Sequence, residues 1–167
     1  MNSQKNTNQI NQQISKMIFQ KLTGYEKVEI ASYLKEYIKN NKNSNLRIYI
    51  GCDSHNKGIY TTYVTTVVIH IGEAGCHVLF QREKIDRIND MWTKLWNEVE
   101  KSVSLAMYLR ENGINIHNID PYLNSNEKHA SNKLVAAATG YVQSMGIKPR
   151  IKPDLLPAVN AADNLSK

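Results

Sequence analysis

The chain has 167 residues, of which 41% are hydrophobic and 22% are charged, and this composition is ordinary for a soluble globular domain with its own core. No apolar run approaches the roughly 18 residues that a membrane-spanning helix needs, and the polar N-terminus contains no signal-peptide core. We therefore expect a cytoplasmic protein that does not contact membranes. The net charge of +6 permits a polyanionic partner such as nucleic acid, although it does not require one.

The N-terminal segment, residues 1–23, differs in composition from the rest of the chain. Its beginning is rich in Asn, Gln and Ser, which is typical of a disordered tail. Apolar residues then follow helical spacing from Ile10 to Leu22, which predicts a short amphipathic helix. The apolar stripe of such a helix needs a surface to cover, so it packs either on the domain or on a protein partner or second copy. We place the folded domain at residues 24–167.

Strand and helix patterns alternate along the domain. Strands are predicted over about 46–53, 59–71, 76–84, 114–120 and 147–152, and helices over about 26–40, 89–111, 131–145 and from Pro157. The short connections between the first three strands favour hairpins, whereas the last two strands each follow a helix and should join the sheet in parallel. The order β-β-β-α-β-α-β-α, after the N-terminal helices, predicts a mixed five-stranded sheet with helices on both faces.

The first predicted strand leads into a carboxylate. Period-2 alternation puts Ile48, Ile50 and Cys52 on one face of the strand and Asp53 on the other. The polar residues 54–58 that follow are predicted to form a turn. A carboxylate at the inner end of a buried strand is costly unless a cation compensates its charge. The simpler interpretation is that Asp53 caps the following turn.

Acidic residues also occur in three later elements: in the helix after the third strand, at the end of the fourth strand and in the last helix. The carboxylates in question are Asp53, Glu98, Glu100, Asp120 and Asp163. Carboxylates that converge at the strand ends of a mixed sheet repel one another unless a divalent cation lies among them. Mg²⁺ or Mn²⁺ suits such a cluster, and two such ions can clamp the attacking and leaving oxygens of a phosphodiester. Each residue alone is explained as well by a capped turn or a solvated helix face.

Five stretches in this order carry a resemblance to a known family: residues 48–54, 95–102, 128–134, 140–142 and 151–167. They resemble the ribonuclease-H-like fold and, more narrowly, the YkuK-type family of bacterial and phage proteins, whose function is poorly defined. The resemblance covers about residues 24–167. It implies a metal-dependent nuclease that acts on RNA, DNA or their hybrid. The alternative is a module that keeps the fold but binds nucleic acid or protein with little or no catalysis.

The resemblance also implies a role for each carboxylate. Asp53 would bridge two metal ions, a glutamate of the long helix and Asp120 would bind one each, and Asp163 would complete the site. Of the two helix glutamates, Glu100 is preferred to Glu98 because it adjoins the apolar stripe from Val99 to Val103. The sequence departs from the family pattern around Asp120, and Asn164 stands where a basic residue is expected.

Histidine and basic residues supply further candidates. His129 lies in a polar loop, where it would position a water or move a proton, or would simply be an exposed loop residue. Lys148, Arg150 and Lys152 share one face of the last predicted strand, which either follows phosphates or protects a sheet edge by charge. The 128–134 motif adds the candidate nucleic-acid contacts Lys128 and Lys133.

Overall fold

The computed structural model describes residues 17–42, 44–73, 75–121, 123, 132–151 and 157–166. Its strands are β1 (Ile18–Lys21), β2 (Lys27–Glu29), β3 (Leu46–Lys57), β4 (Tyr60–Ile71), β5 (Cys76–Asp86), β6 (Asn118–Pro121) and β7 (Lys148–Pro149). Its helices are α1 (Ile30–Asn40), α2 (Met91–Glu111), α3 (Asn132–Ser144) and α4 (Pro157–Ser166).

The strands form one mixed sheet in the order β2-β1-β5-β4-β3-β6-β7. Strands β3, β4 and β5 are an antiparallel meander, whereas β6 and β7 join in parallel, as their helical connections require. The predicted mixed sheet with helices on both faces is confirmed. The described residues contain seven strands instead of five, because two short N-terminal strands extend the sheet beyond β5.

The N-terminal strands replace part of the predicted N-terminal helix. Residues 18–21 form β1, which pairs with the edge of β5 and buries Phe19 to 1% exposure. The helix prediction is wrong there because a short apolar run fits both periods, and the unpaired edge of β5 gives the backbone hydrogen-bond partners. Residues 10–16 of that predicted helix lie outside the described residues. Helix α1 begins only at Ile30, where the Glu29 carboxylate accepts hydrogen bonds from two backbone N–H groups.

Helices cover both faces of the sheet. Helices α1, α2 and α3 pack on the face that carries Ile48 and Ile50, and this layer contains most of the buried apolar residues. Helix α4 packs on the opposite face, where Ala158 contacts Tyr49 and Val68. Alternation along β3 therefore assigns consecutive residues to different helices. Within the described part of the chain, no helix is both long and apolar enough to cross a membrane.

Strand β3 is longer than the sequence predicted. Residues 54–57, predicted as a turn, continue the pairing with β4, and the hairpin closes at residues 58–59 with Gly58 at a φ of +59°. A side-chain network stabilises this extension: Thr61 Oγ1 donates to Asn56 Oδ1, and Asn56 Nδ2 donates to the carbonyl of Ile88. Pairing with β6, in contrast, ends at Cys52. Among the described residues, no strand pairs with the β6 side of β3 beyond Cys52.

Candidate active site

Asp53 lies in the interior of β3 at the point where pairing with β6 ends. It is 6% exposed and lies on the face of the sheet that α4 covers, where its Oδ2 accepts a hydrogen bond from Ser166 Oγ at 3.0 Å. Burial raises the pKa of Asp53, and the Ser166 hydroxyl opposes this rise without cancelling it. Asp53 is thus fixed in position while its charge remains poorly compensated.

Glu98 reaches the same region from the opposite face of the sheet. It is 3% exposed on α2, and its Oε1 accepts a hydrogen bond of 2.6 Å from the hydroxyl of Ser54, the residue after Asp53. Burial raises the pKa of Glu98 well above its ordinary value, and the negative charge of Asp53 raises it further. Lys94, one turn earlier on α2, favours ionisation of both carboxyls. Lys94 was not among the residues predicted from the sequence, although its i, i+4 spacing to Glu98 is visible there.

Asp163 is the third carboxylate of this region. It lies half-buried on α4, and its charge contributes to the raised pKa of Asp53, after the larger effect of burial. Helix α4 is fixed at its C-terminal end by Arg82 of β5, whose Nε and Nη2 donate to the carbonyl of Leu165 at 3.1 and 2.8 Å. Asp53 therefore interacts electrostatically with both Glu98 and Asp163, which lie on two other elements.

Asp120 does not join these three carboxylates. Its fully buried side chain accepts hydrogen bonds from Arg150 at 2.8–2.9 Å and from the backbone N–H of Ala158 at 3.2 Å. In the parallel pairing of β3 and β6, Asp120 stands opposite Gly51, two residues before Asp53 and roughly 7 Å away along the strand. Asp120 instead joins β6 to the first turn of α4, where the helix dipole also favours an anion.

Glu100, the glutamate that the sequence favoured, also lies elsewhere. It is exposed and accepts a hydrogen bond of 3.1 Å from Trp96 Nε1. It lines a cavity of about 370 Å³ between α2 and β5 rather than the region of Asp53. Two residues along a helix correspond to a rotation of about 200°, so Glu98 and Glu100 must face different sides. The geometry therefore favours Glu98 as the site residue, and the preference for Glu100 is not supported.

The basic candidates lie away from the three carboxylates where the structure describes them. Lys148 is exposed on the short edge strand β7. Arg150 binds Asp120, and its guanidinium lies 4.1 Å from the centre of the Tyr49 ring, which indicates a structural role. Three other candidates, Lys128, His129 and Lys152, lie outside the described residues, as does the side chain of Lys133.

The three carboxylates fit a divalent cation only in part. The described residues contain no group of three or more His, Cys, Asp or Glu side chains already arranged to hold a metal ion. Mg²⁺, however, commonly takes one or two protein carboxylates and completes its octahedron with water and substrate phosphates. Asp53 and Glu98 are buried carboxylates that a cation would favour in the ionised form. Their donor chemistry therefore suits Mg²⁺ or Mn²⁺ bound together with a substrate.

Comparison with known proteins identifies the family to which this fold belongs. The family model described as ribonuclease H-like matches residues 29–167, and the chain belongs to this family. The family supports a nuclease-like or nucleic-acid-binding domain. The chain is similar to the uncharacterized protein YkuK of Bacillus subtilis (strain 168), with 23% identity over 154 residues that cover 83% of this chain and 90% of that protein. No solved structure matches the chain.

Proposed function

We propose that the protein is a divalent-metal-dependent nuclease that hydrolyses phosphodiester bonds of RNA or DNA. The observation that supports this most directly is the pair of buried carboxylates, Asp53 and Glu98, with raised pKa values near the point where pairing of β3 with β6 ends. Among the described residues, no salt bridge neutralises either of them. Asp120, in the same sheet, forms a salt bridge with Arg150. Buried carboxylates without a salt bridge are therefore not a general feature of this core.

In this proposal Asp53 and Glu98 hold the metal, and Asp163 assists from the more exposed side. Ser166 and Ser54 orient the two buried carboxylates through the hydrogen bonds described above. A bound Mg²⁺ or Mn²⁺ would supply a water of lowered pKa and stabilise the charge on the leaving oxygen. Lys94 lies close enough to influence both carboxyls and would attract the phosphodiester to the same place. The net charge of +6 is consistent with a nucleic-acid substrate.

A second candidate is a ribonuclease-H-like module that binds nucleic acid or protein without cleaving it. The engagement of Asp120 with Arg150 favours this candidate, because a carboxylate that the resemblance assigned to the metal is already neutralised. The described residues also lack a complete metal-binding group. The two candidates differ in whether the metal-dependent cleavage takes place.

A cleavage assay separates the two candidates. Labelled RNA–DNA hybrid, duplex DNA, single-stranded DNA and single-stranded RNA are each incubated with Mg²⁺, with Mn²⁺ and with a chelator. We expect metal-dependent cleavage that Asp53→Asn lowers by roughly 100-fold or more, since the variant loses a metal ligand. Glu36→Gln, which neutralises an exposed carboxylate on α1, is the control and should keep the wild-type rate. Cleavage at an unchanged rate in Asp53→Asn would contradict the proposed site, and no cleavage by the wild type would favour the binding module.

A further inference from the structure

The extension of the sheet beyond Asp53 presents a polar and aromatic surface. Pairing of β3, β4 and β5 continues past the C-terminal end of α4, whose last residue already contacts Asp53. Alternation places six residues beyond Asp53 on the face that carries it, and we call them the distal sheet face. They are His55, Lys57, Tyr60, Thr62, Lys84 and Asp86. Five of the six are exposed, and Thr62 is half-buried.

Tyr60 is the aromatic centre of the distal sheet face. It keeps 36% of its surface exposed, although the hairpin positions around it are paired on both sides. The ammonium of Lys84 lies 4.1 Å from the centre of its ring, and Lys57 stands directly opposite on β3. An exposed tyrosine between two lysines combines a flat apolar surface with cations that phosphates attract.

The distal sheet face is rigidly supported from behind. On the reverse side of the hairpin, Thr61 Oγ1 accepts a hydrogen bond from the backbone N–H of Ile88 and donates one to Asn56. Arg87 adds a hydrogen bond of 2.8 Å to the carbonyl of Gly58 in the hairpin turn. A preorganised surface loses less conformational entropy on binding than a flexible loop does.

The distal sheet face is also continuous with the candidate active site. Lys57 and Asp53 lie four residues apart on one face of a single strand, which corresponds to roughly 13 Å. A polymer that contacts Lys57 and Tyr60 is therefore directed along β3 toward the buried carboxylates. Asp86, opposite Tyr60 on β5, is the acidic residue among these six, and the other two charges are the positive ones of Lys57 and Lys84.

We propose that the distal sheet face binds a single strand of nucleic acid, with a base stacked on Tyr60 and the backbone contacted by Lys57 and Lys84. A single strand fits better than a duplex because stacking on a side chain requires an unpaired base. The two lysines complement a phosphate backbone in charge. This inference rests on the proposed function, since it names the substrate class that the site would receive.

Binding can be tested separately from cleavage. The anisotropy of a labelled oligothymidylate is measured in chelator, where a metal-dependent enzyme cannot cut it, for the wild type, Tyr60→Ala and Tyr60→Phe. We expect Tyr60→Ala to weaken binding about tenfold, since it loses one stacked base, while Tyr60→Phe keeps the affinity. Tyr25→Ala, at an exposed tyrosine in the β1–β2 turn, is the matched control and should bind like the wild type.

Salt dependence tests the role of the lysines. Lys57→Ala and Lys84→Ala should each lower the slope of log K against log salt concentration by about 0.7, the value for one phosphate contact on a single strand. Lys39→Ala, at an exposed lysine of α1, should leave the slope unchanged.

Any of three results would overturn the inference. The first is that Tyr60→Ala and Tyr25→Ala bind the oligothymidylate with equal affinity, and the second is that the wild type does not bind it. The third is that Tyr60→Ala changes the oligomeric mass of the protein but not its affinity. Asp53→Asn should lose cleavage but still bind the oligothymidylate. Cleavage and binding are thus measured separately, so a failure of this surface can be told apart from a failure of the proposed site.

Discussion

At the scale of single residues, Asp53 and Asp120 show how surroundings decide what a buried carboxylate does. Both lie on the same face of adjacent parallel strands. Asp120 meets a guanidinium and a backbone N–H, so its charge is neutralised within the fold. Asp53 meets a serine hydroxyl and, through space, two further carboxylates. The first arrangement stabilises the fold, whereas the second leaves a site that a cation would improve.

The choice between Glu98 and Glu100 leads to a prediction at the same scale. Addition of Mg²⁺ or Mn²⁺ should raise the unfolding temperature of the wild type, because a ligand that binds only the folded state stabilises it by mass action. At a metal concentration 100 times the dissociation constant this stabilisation is about 2.7 kcal/mol. Glu98→Gln should lose most of the metal-induced shift, and thermal unfolding with and without metal measures it.

Glu100→Gln is the matched control for this prediction, since it makes the same chemical change two residues away on the same helix. Its exposed side chain contacts Trp96 and faces the cavity beside β5, so its metal-induced shift should equal that of the wild type. A shift lost in Glu100→Gln and kept in Glu98→Gln would show that the geometric assignment is incorrect.

At the scale of elements, α4 depends on contacts at both of its ends. The N-terminal end is joined to β6 through Asp120 and to β4 through Thr66, whose Oγ1 donates to the carbonyl of Ala158 at 2.6 Å. The C-terminal end is fixed by Arg82. These contacts hold Asp163 and Ser166 against β3, so a short helix of ten residues can contribute to the candidate site.

The Asp120–Arg150 pair should therefore be important for stability and not for metal binding. Arg150→Ala leaves a fully buried carboxylate without its cation, and we expect a loss of about 3–5 kcal/mol in the free energy of unfolding. Urea denaturation measures the change. The double variant Asp120→Asn/Arg150→Ala should be less destabilised than the sum of the single variants, because the unpaired charge is gone. A loss below about 1 kcal/mol for Arg150→Ala would indicate that the pair is weak.

At the scale of the whole molecule, the raised pKa values of Asp53 and Glu98 predict how stability depends on pH. The folded state binds their protons more tightly than the unfolded state does, so their contribution to stability is lost as pH rises. For Glu98 this decline begins near the unfolded pKa of about 4.5 and continues up to the raised folded value. Without metal, Asp53→Asn/Glu98→Gln should become more stable than the wild type toward neutral pH, by about 1–3 kcal/mol.

The double variant must be compared with the wild type because two histidines change stability with pH in the direction opposite to that of Asp53 and Glu98. Burial lowers the pKa of His77 and His117, so their contribution to stability grows as pH rises through their titration range. The same histidines are present in the double variant, and their effect cancels in the difference. Chemical denaturation at several pH values in chelator gives this difference, and a difference that does not change with pH would contradict the raised pKa values.

The sequence by itself determined the order of elements and the class of fold. Alternating apolar residues in β3, β4 and β5 and the long amphipathic α2 are local patterns, and the helices and strands formed close to their predicted positions. Asp53 was recognised for the same reason, since it lies at the end of the buried apolar run of β3. The two N-terminal strands were missed because runs of four and three residues fit either period. Pairing decides between the periods: β1 pairs with the free edge of β5, and β2 pairs with β1.

Only the tertiary structure decided which carboxylates belong together. The register of β6 against β3 places Asp120 beside Gly51 and within reach of Arg150, and no local pattern contains that register. The direction of Glu98 depends on how α2 rotates against the sheet, which the packing of its whole apolar stripe fixes. The distal sheet face appeared only when β3 proved longer than predicted, because hydrogen bonds from residues far along the chain extend the hairpin.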